Sequence, residues 1–170
     1  MNNATNKPLP QDYLLRPGFI YMAEKPVAIS TVLGSSVSVC IFDKKQKIGG
    51  MNHFQFPEAL KSDDPTARYG NVATLALVRM MKSSGSKNRH LVAQIFGGAY
   101  NPELSQHNIG TRNINAARNI LNRLNIKIIS EDVGGEIGRK IVFNTSNCEI
   151  AILKVPNLRQ SDWYPYESDR

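Results

Sequence analysis

A chain of 170 residues, 41% hydrophobic and 21% charged, has the size and composition of one globular domain with a single core. No apolar run approaches the ~20 residues that span a bilayer, and residues 1–16 lack the charged start and apolar stretch of a secretory signal, so a cytoplasmic protein is expected. The net charge of +7 raises a nucleic-acid-binding domain as one function class. The cations are scattered along the chain, however, and no aromatic-rich basic strand pair accompanies them.

In chain order, residues 1–16 contain Pro8 and Pro10 and little periodicity, and read as an N-terminal arm preceding a domain over 17–157. Phe19 to Ala23 and Val27 to Thr31 are predicted strands. From Val37 to Asp43 the odd positions are apolar and Ser36, Ser38 and Cys40 are small, the period of a half-buried strand. The densest cationic run, Lys44-Lys45-Gln46-Lys47, reads as a solvated hairpin tip from which Ile48 to Phe54 returns. Residues 57–68, proline-flanked, are a surface loop that borders any site nearby. A helix is predicted over Val72 to Met81 with Gly85 as its stop, then a buried strand from Leu91 to Phe96. A second helix carries Ile114, Ala117, Leu121 and Leu124 on one face, with Asn108 or Thr111 as its cap. Strands follow at Lys127 to Glu131, Arg139 to Asn144 and Glu149 to Val155, and residues 158–170, with Trp163-Tyr164-Pro165-Tyr166, form a C-terminal tail. Two helices among about eight strands with short connections give an α+β domain whose sheet is mostly antiparallel.

Hairpin parity brings chemistry-bearing residues together. If Asp43 faces Ile48, then Ser38 faces His53 and Ser36 lies diagonally across on the same face, about 7–8 Å away at the backbone. Cys40 lies diagonally across on the other side and is a rival nucleophile. Backbone position favours Ser36, which follows Gly34-Ser35 where amides are free to face a substrate oxygen, whereas Cys40 sits mid-strand. A mid-strand cysteine is usually apolar filler, and neither Cys40 nor Cys148 suggests a disulfide framework. His53 also admits a bland reading, a half-buried histidine satisfied by a neighbouring carbonyl. His90 and His107 read as surface residues, and the three histidines and two cysteines show no metal-ligand spacing. Gly134-Gly135-Glu136-Ile137-Gly138 precedes a strand rather than a helix and is a turn, not a phosphate loop.

The run Ser30-Thr31-Val32-Leu33-Gly34-Ser35-Ser36-Val37-Ser38-Val39-Cys40, followed by Gly49-Gly50-Met51-Asn52-His53, resembles the signature of the CheD family, the chemoreceptor glutamine deamidases. Asn108-Ile109-Gly110-Thr111-Arg112-Asn113 and Glu131-Asp132-Val133-Gly134-Gly135 extend the resemblance across about residues 18–156. It implies a three-layer α/β/β sandwich and a thiol mechanism in which receptor glutamine becomes glutamate with release of ammonia. By resemblance, His53 is the general base and acid, and Ser36 stands where the family has its nucleophilic cysteine. A hydroxyl residue upstream positions the imidazole: Ser30 is preferred, with Thr31 as the alternative. The resemblance implies chemoreceptor cytoplasmic helices and a CheC-type phosphatase as partners; no cofactor, no nucleic acid and no membrane insertion are expected.

The serine changes the expectation. A thiol of pKa about 8.5 ionises readily beside an imidazole, whereas a hydroxyl is far more basic. The chain is therefore expected to deamidate very slowly or not at all. An otherwise intact signature favours deliberate replacement of the cysteine over its natural loss, which would leave a non-catalytic module that binds receptors or the CheC-type phosphatase.

Overall fold

The computed structural model describes residues 11–154 and 156. It contains nine strands, Gln11–Leu14 (β1), Phe19–Ala23 (β2), Val27–Leu33 (β3), Val37–Asp43 (β4), Ile48–His53 (β5), Leu91–Gly97 (β6), Lys127–Val133 (β7), Arg139–Asn144 (β8) and Ile150–Lys154 (β9), and two α-helices, Gly70–Ser83 (α1) and Ile109–Arg123 (α2). The strands form two sheets, ordered β1-β3-β8-β9 and β2-β5-β4-β6-β7. Of the seven pairings, only β1 with β3 and β6 with β7 are parallel. The β6–β7 pair is the one joined through a helix, α2, as parallel neighbours require.

Three layers follow from where the apolar side chains point. The odd positions of β4, Val37, Val39 and Ile41, pack with Leu77 and Met81 of α1 and with Ala117 and Leu121 of α2. The even positions Cys40 and Phe42 face the other way, into a second core with Met51, Phe96 and, from the four-stranded sheet, Ile29, Leu33, Ile141 and Phe143. The five-stranded sheet is thus covered on both faces, which is why every residue of β4 and β6 is buried. This is the expected α+β sandwich, with helices on one sheet and the second sheet behind it.

One local expectation changes, and one connection is decided by the fold. Residues 11–16 are not an arm: β1 pairs with β3 from Gln11↔Val27 to Leu14↔Ser30, and Leu15 is only 1% exposed. Four residues with one half-buried leucine give no periodic signal, and long-range pairing supplies the order. The Phe19–Ala23 and Val27–Leu33 strands, adjacent in sequence across Glu24-Lys25-Pro26, belong to different sheets, so that turn crosses the sandwich. The rest of the expected arm, residues 1–10, and the tail over 158–170 lie outside the described residues.

The helix boundaries follow their sequence signals. Asn108, rather than Thr111, caps α2, its side chain accepting from the Thr111 amide at 3.0 Å. Gly85 adopts φ +91° just beyond α1, a conformation open to glycine. Gly134 and Gly135 take φ +74° and +71° in the turn between β7 and β8.

Candidate active site

The β4–β5 register is Asp43↔Ile48, Ile41↔Gly50 and Cys40↔Met51, and an isolated bridge pairs Val37 with Phe54. Between these rungs the ladder opens: the Val39 amide donates to the Asn52 side-chain oxygen at 2.8 Å, and the Asn52 side-chain amide donates to Thr74 of α1 at 3.2 Å. A side chain therefore replaces a backbone acceptor one residue before His53. Ser36 and His53 meet at the open end of this hairpin, with the Ser36 Oγ 2.8 Å from the His53 Nε2.

The other ring nitrogen reaches across the sandwich. His53 Nδ1 is 2.8 Å from Thr31 Oγ1, and Thr31 in turn donates to the Leu15 carbonyl at 2.7 Å. A carbonyl has no proton to give, so the single hydroxyl proton of Thr31 points to Leu15 and Thr31 accepts from His53 Nδ1–H. That fixes the tautomer: Nε2 carries the lone pair and accepts from the Ser36 hydroxyl. Burial lowers the His53 pKa to about 4, partly opposed by the Leu15 backbone nearby, so the ring is neutral at ordinary pH.

Thr31, not Ser30, meets the imidazole, which corrects the preferred assignment. On β3, Ile29, Thr31 and Leu33 all face the inter-sheet layer and are at most 1% exposed, whereas Ser30 lies on the opposite face of the strand. The choice between neighbours requires knowing which face of β3 covers the other sheet. Cys40 does share the parity of Ser36, but it is enclosed in the inter-sheet core, where burial pushes its thiol well above the usual range. Among the described residues no hydrogen bond joins Cys40 to His53.

The loop before β4 is pinned by three successive carbonyls. Gly34 accepts from the Ala99 amide at 2.8 Å, Ser35 from the Asn113 side chain at 2.9 Å, and Ser36 from the Gly98 amide at 2.8 Å. With the carbonyls drawn inward, the amides of Ser35 and Ser36 have no hydrogen-bond partner among the described residues, the condition for an oxyanion hole. Gly97 permits the approach: a Cβ there would stand 2.2 Å from the Ser36 carbonyl oxygen. Beside Ser36 opens a cleft of about 380 Å³ lined by Pro17, Gly34, Ser35, Ser36, His53, Gln55, Phe56 and Ile109. A second hollow shares Gly34, Ser35 and Ile109 and continues past Tyr100, Leu104, His107 and Glu136. His90 lines neither; it sits in a 3-10 turn and accepts from Arg89 Nε.

Asn113 closes the run Asn108 to Asn113 that carries part of the resemblance, but the sequence gives it no role in the site. Its Nδ2 donates to both Ser35 and Gln55 carbonyls at 2.9 Å, tying the loop before β4 to the loop after β5. The available signal is an asparagine on the apolar face of α2, beside Ile114 and three residues after Gly110. The Leu15 carbonyl has no such signal, because β1 itself is not legible.

A hydroxyl bonded to a neutral imidazole that a second hydroxyl holds, with unpartnered amides beside a cleft, is an arrangement able to act as a nucleophile–base pair of the Cys/Ser–His class. The chain belongs to the CheD family. The family model described as CheD chemotactic sensory transduction matches residues 55–154. The chain is 37% identical over 139 residues, 80% of it and 89% of the relative, to the probable chemoreceptor glutamine deamidase CheD of Sulfurimonas denitrificans. It is 38% identical to the protein of that name in Trichlorobacter lovleyi, over 78% of this chain and 84% of the relative. The match to the Stenotrophomonas maltophilia protein, 34% identical, covers 95% of this chain and so necessarily includes the Ser36–His53 hairpin.

Proposed function

We propose that this chain carries a chemoreceptor glutamine deamidase site in which Ser36 occupies the nucleophile position, His53 is the base and acid and Thr31 orients the imidazole, and that with serine in place it turns over very slowly or not at all. The observation that carries the reading is the continuous chain of hydrogen bonds Ser36–His53–Thr31–Leu15 at the mouth of a cleft, in a member of a family whose relatives are named for this activity.

In the thiol form of such a site, the sulfur attacks the carboxamide carbon of glutamine while its proton passes to His53 Nε2. The oxyanion lies towards the amides of Ser35 and Ser36. His53 then returns the proton to the nitrogen, which leaves as ammonia, and water hydrolyses the thioester to glutamate. With Ser36 the first step requires a far more basic group to lose its proton to an imidazole whose pKa is about 4. Thr31 stands on Nδ1 and is itself bonded to the Leu15 carbonyl, so among the described residues no carboxylate is placed to stabilise the imidazolium that would form.

The test is ammonia release from a chemoreceptor cytoplasmic fragment containing glutamine. Ser36→Cys is expected to release ammonia and the parent chain to remain near background. An inert Ser36→Cys protein that still folds and binds the fragment would overturn the assignment of the nucleophile. If the parent chain binds receptor fragments or a CheC-type phosphatase without turnover, its role is that of a non-catalytic module on the same surface.

A further inference from the structure

Cations that are scattered in sequence are gathered in space. The tip of the β4–β5 hairpin (Lys44, Lys45, Lys47) is joined to the segment after α1 by the Lys44 amide donating to the His90 carbonyl at 3.0 Å and by Gln46 to Ser86 at 3.4 Å. The last turn of α1 and that segment carry Lys82, Lys87 and Arg89, and Asn88 joins them to the end of α2 by donating to the Leu124 carbonyl at 2.7 Å. Arg123 closes α2, and Lys127, paired with Val92, opens β7. Eight exposed cations therefore share one end of the helix layer and the five-stranded sheet. The carboxylate among them, Asp43, is 1% exposed and accepts from the amides of its own turn. Of the neighbouring turns, one carries Glu24 beside Lys25 and the other carries Glu149.

The bland explanation is compensation of helix C-termini, since α1 and α2 both end here. Two helix ends amount to about one negative charge, far less than the eight cations present. The excess is left facing solvent.

We propose that this end is an electrostatic docking face for an anionic phospholipid surface. Six of the eight cations are lysines, compact point charges suited to a diffuse anionic plane rather than to the bidentate geometry that arginine offers phosphodiesters and carboxylates. The end is made of a hairpin tip and two helix termini, and its aromatic residue among the described residues, Phe42, is 4% exposed with Lys47 over its ring, so the described residues offer no base-stacking platform there. Adsorption here requires no insertion, in keeping with the absence, among the described residues, of a helix long and apolar enough to cross a membrane. Ser36 and His53 lie at the other end of β4 and β5, so the cleft faces away from the surface and stays open to a substrate. The inference stands whether or not Ser36 supports turnover.

The full chain is to be sedimented with vesicles of three parts phosphatidylcholine to one part phosphatidylserine and with vesicles of phosphatidylcholine alone. Binding is expected only to the anionic vesicles and is expected to disappear at high salt. At about 1 kcal/mol per cation near the surface, K44E/K45E/K47E is expected to weaken binding about a hundredfold or more, and K61E, at the cleft end, to leave it unchanged. Should the triple variant fail to fold, K87E/R89E is expected to weaken binding at least tenfold. Equal binding to neutral vesicles, or binding unaffected by either set of reversals, overturns the proposal. So does tighter binding to duplex DNA or polyglutamate than to the anionic vesicles at the same ionic strength.

Discussion

Thr31 Oγ1 lies 2.8 Å from His53 Nδ1, and this contact joins the two sheets of the sandwich: Thr31 is on β3 of one sheet and His53 closes β5 of the other. The imidazole is therefore oriented by the packing of the sheets and not by the hairpin that carries it. Replacing Thr31 by Val keeps the shape but removes both the acceptor for Nδ1–H and the donor to Leu15. The buried partners left unpaired are expected to cost about 1–3 kcal/mol, read by chemical denaturation. In a Ser36→Cys background, Thr31→Val should also lower deamidation while Thr31→Ser retains it and Ser30→Ala has no effect.

His53 provides a pH signature. Its pKa is lowered to about 4 in the folded protein, against about 6.5 for an unfolded histidine. Between those values the unfolded chain binds the proton and the native one does not, so stability falls as pH drops from about 6.5 to 4, by about 3 kcal/mol in total, and levels off below. Denaturation midpoints across this range should show the slope in the parent chain and lose most of it in His53→Gln.

Removing the base tests its chemical role separately. In the Ser36→Cys background, His53→Ala is expected to lower ammonia release by about 10²–10⁴-fold, the usual contribution of a positioned general base and acid. A loss confined to substrate binding, with turnover at saturation unchanged, would assign His53 to recognition instead.

Asn113 holds the two loops that flank the cleft, and it is fully buried. Asn113→Leu leaves the Ser35 and Gln55 carbonyls without their donor, at an expected cost of about 2–4 kcal/mol for the pair. Hydrogen exchange should rise first in residues 34–37 and 54–56, which would distinguish a local clamp from a general core residue.

Gly97 has a steric role at the same loop. Its φ is +105° and a side-chain Cβ at this position would stand 2.2 Å from the Ser36 carbonyl oxygen, so Gly97→Ala must displace the strand start that carries Ser36. Expression of a folded protein with activity lost even in the Ser36→Cys background is the expected outcome, and full activity would show that the loop yields at no cost.

What the sequence determined by itself was local or periodic. Alternation from Val37 to Asp43 and the small residues opposite it placed Ser36 and His53 on one face, because hairpin register is set by a short turn and a period of two. The apolar spacing of α2 and its Asn108 cap were equally legible. Tertiary structure alone decided which hydroxyl serves His53, because Ser30 and Thr31 differ only in the face of β3 they occupy, and that face acquires meaning when a second sheet covers it. It alone turned residues 11–14 into a strand and supplied the Leu15 carbonyl, through pairing with a segment beyond the reach of any local signal. It also gathered lysines from separate segments at the end opposite the site, where strand and helix ends that are distant along the chain come to lie side by side.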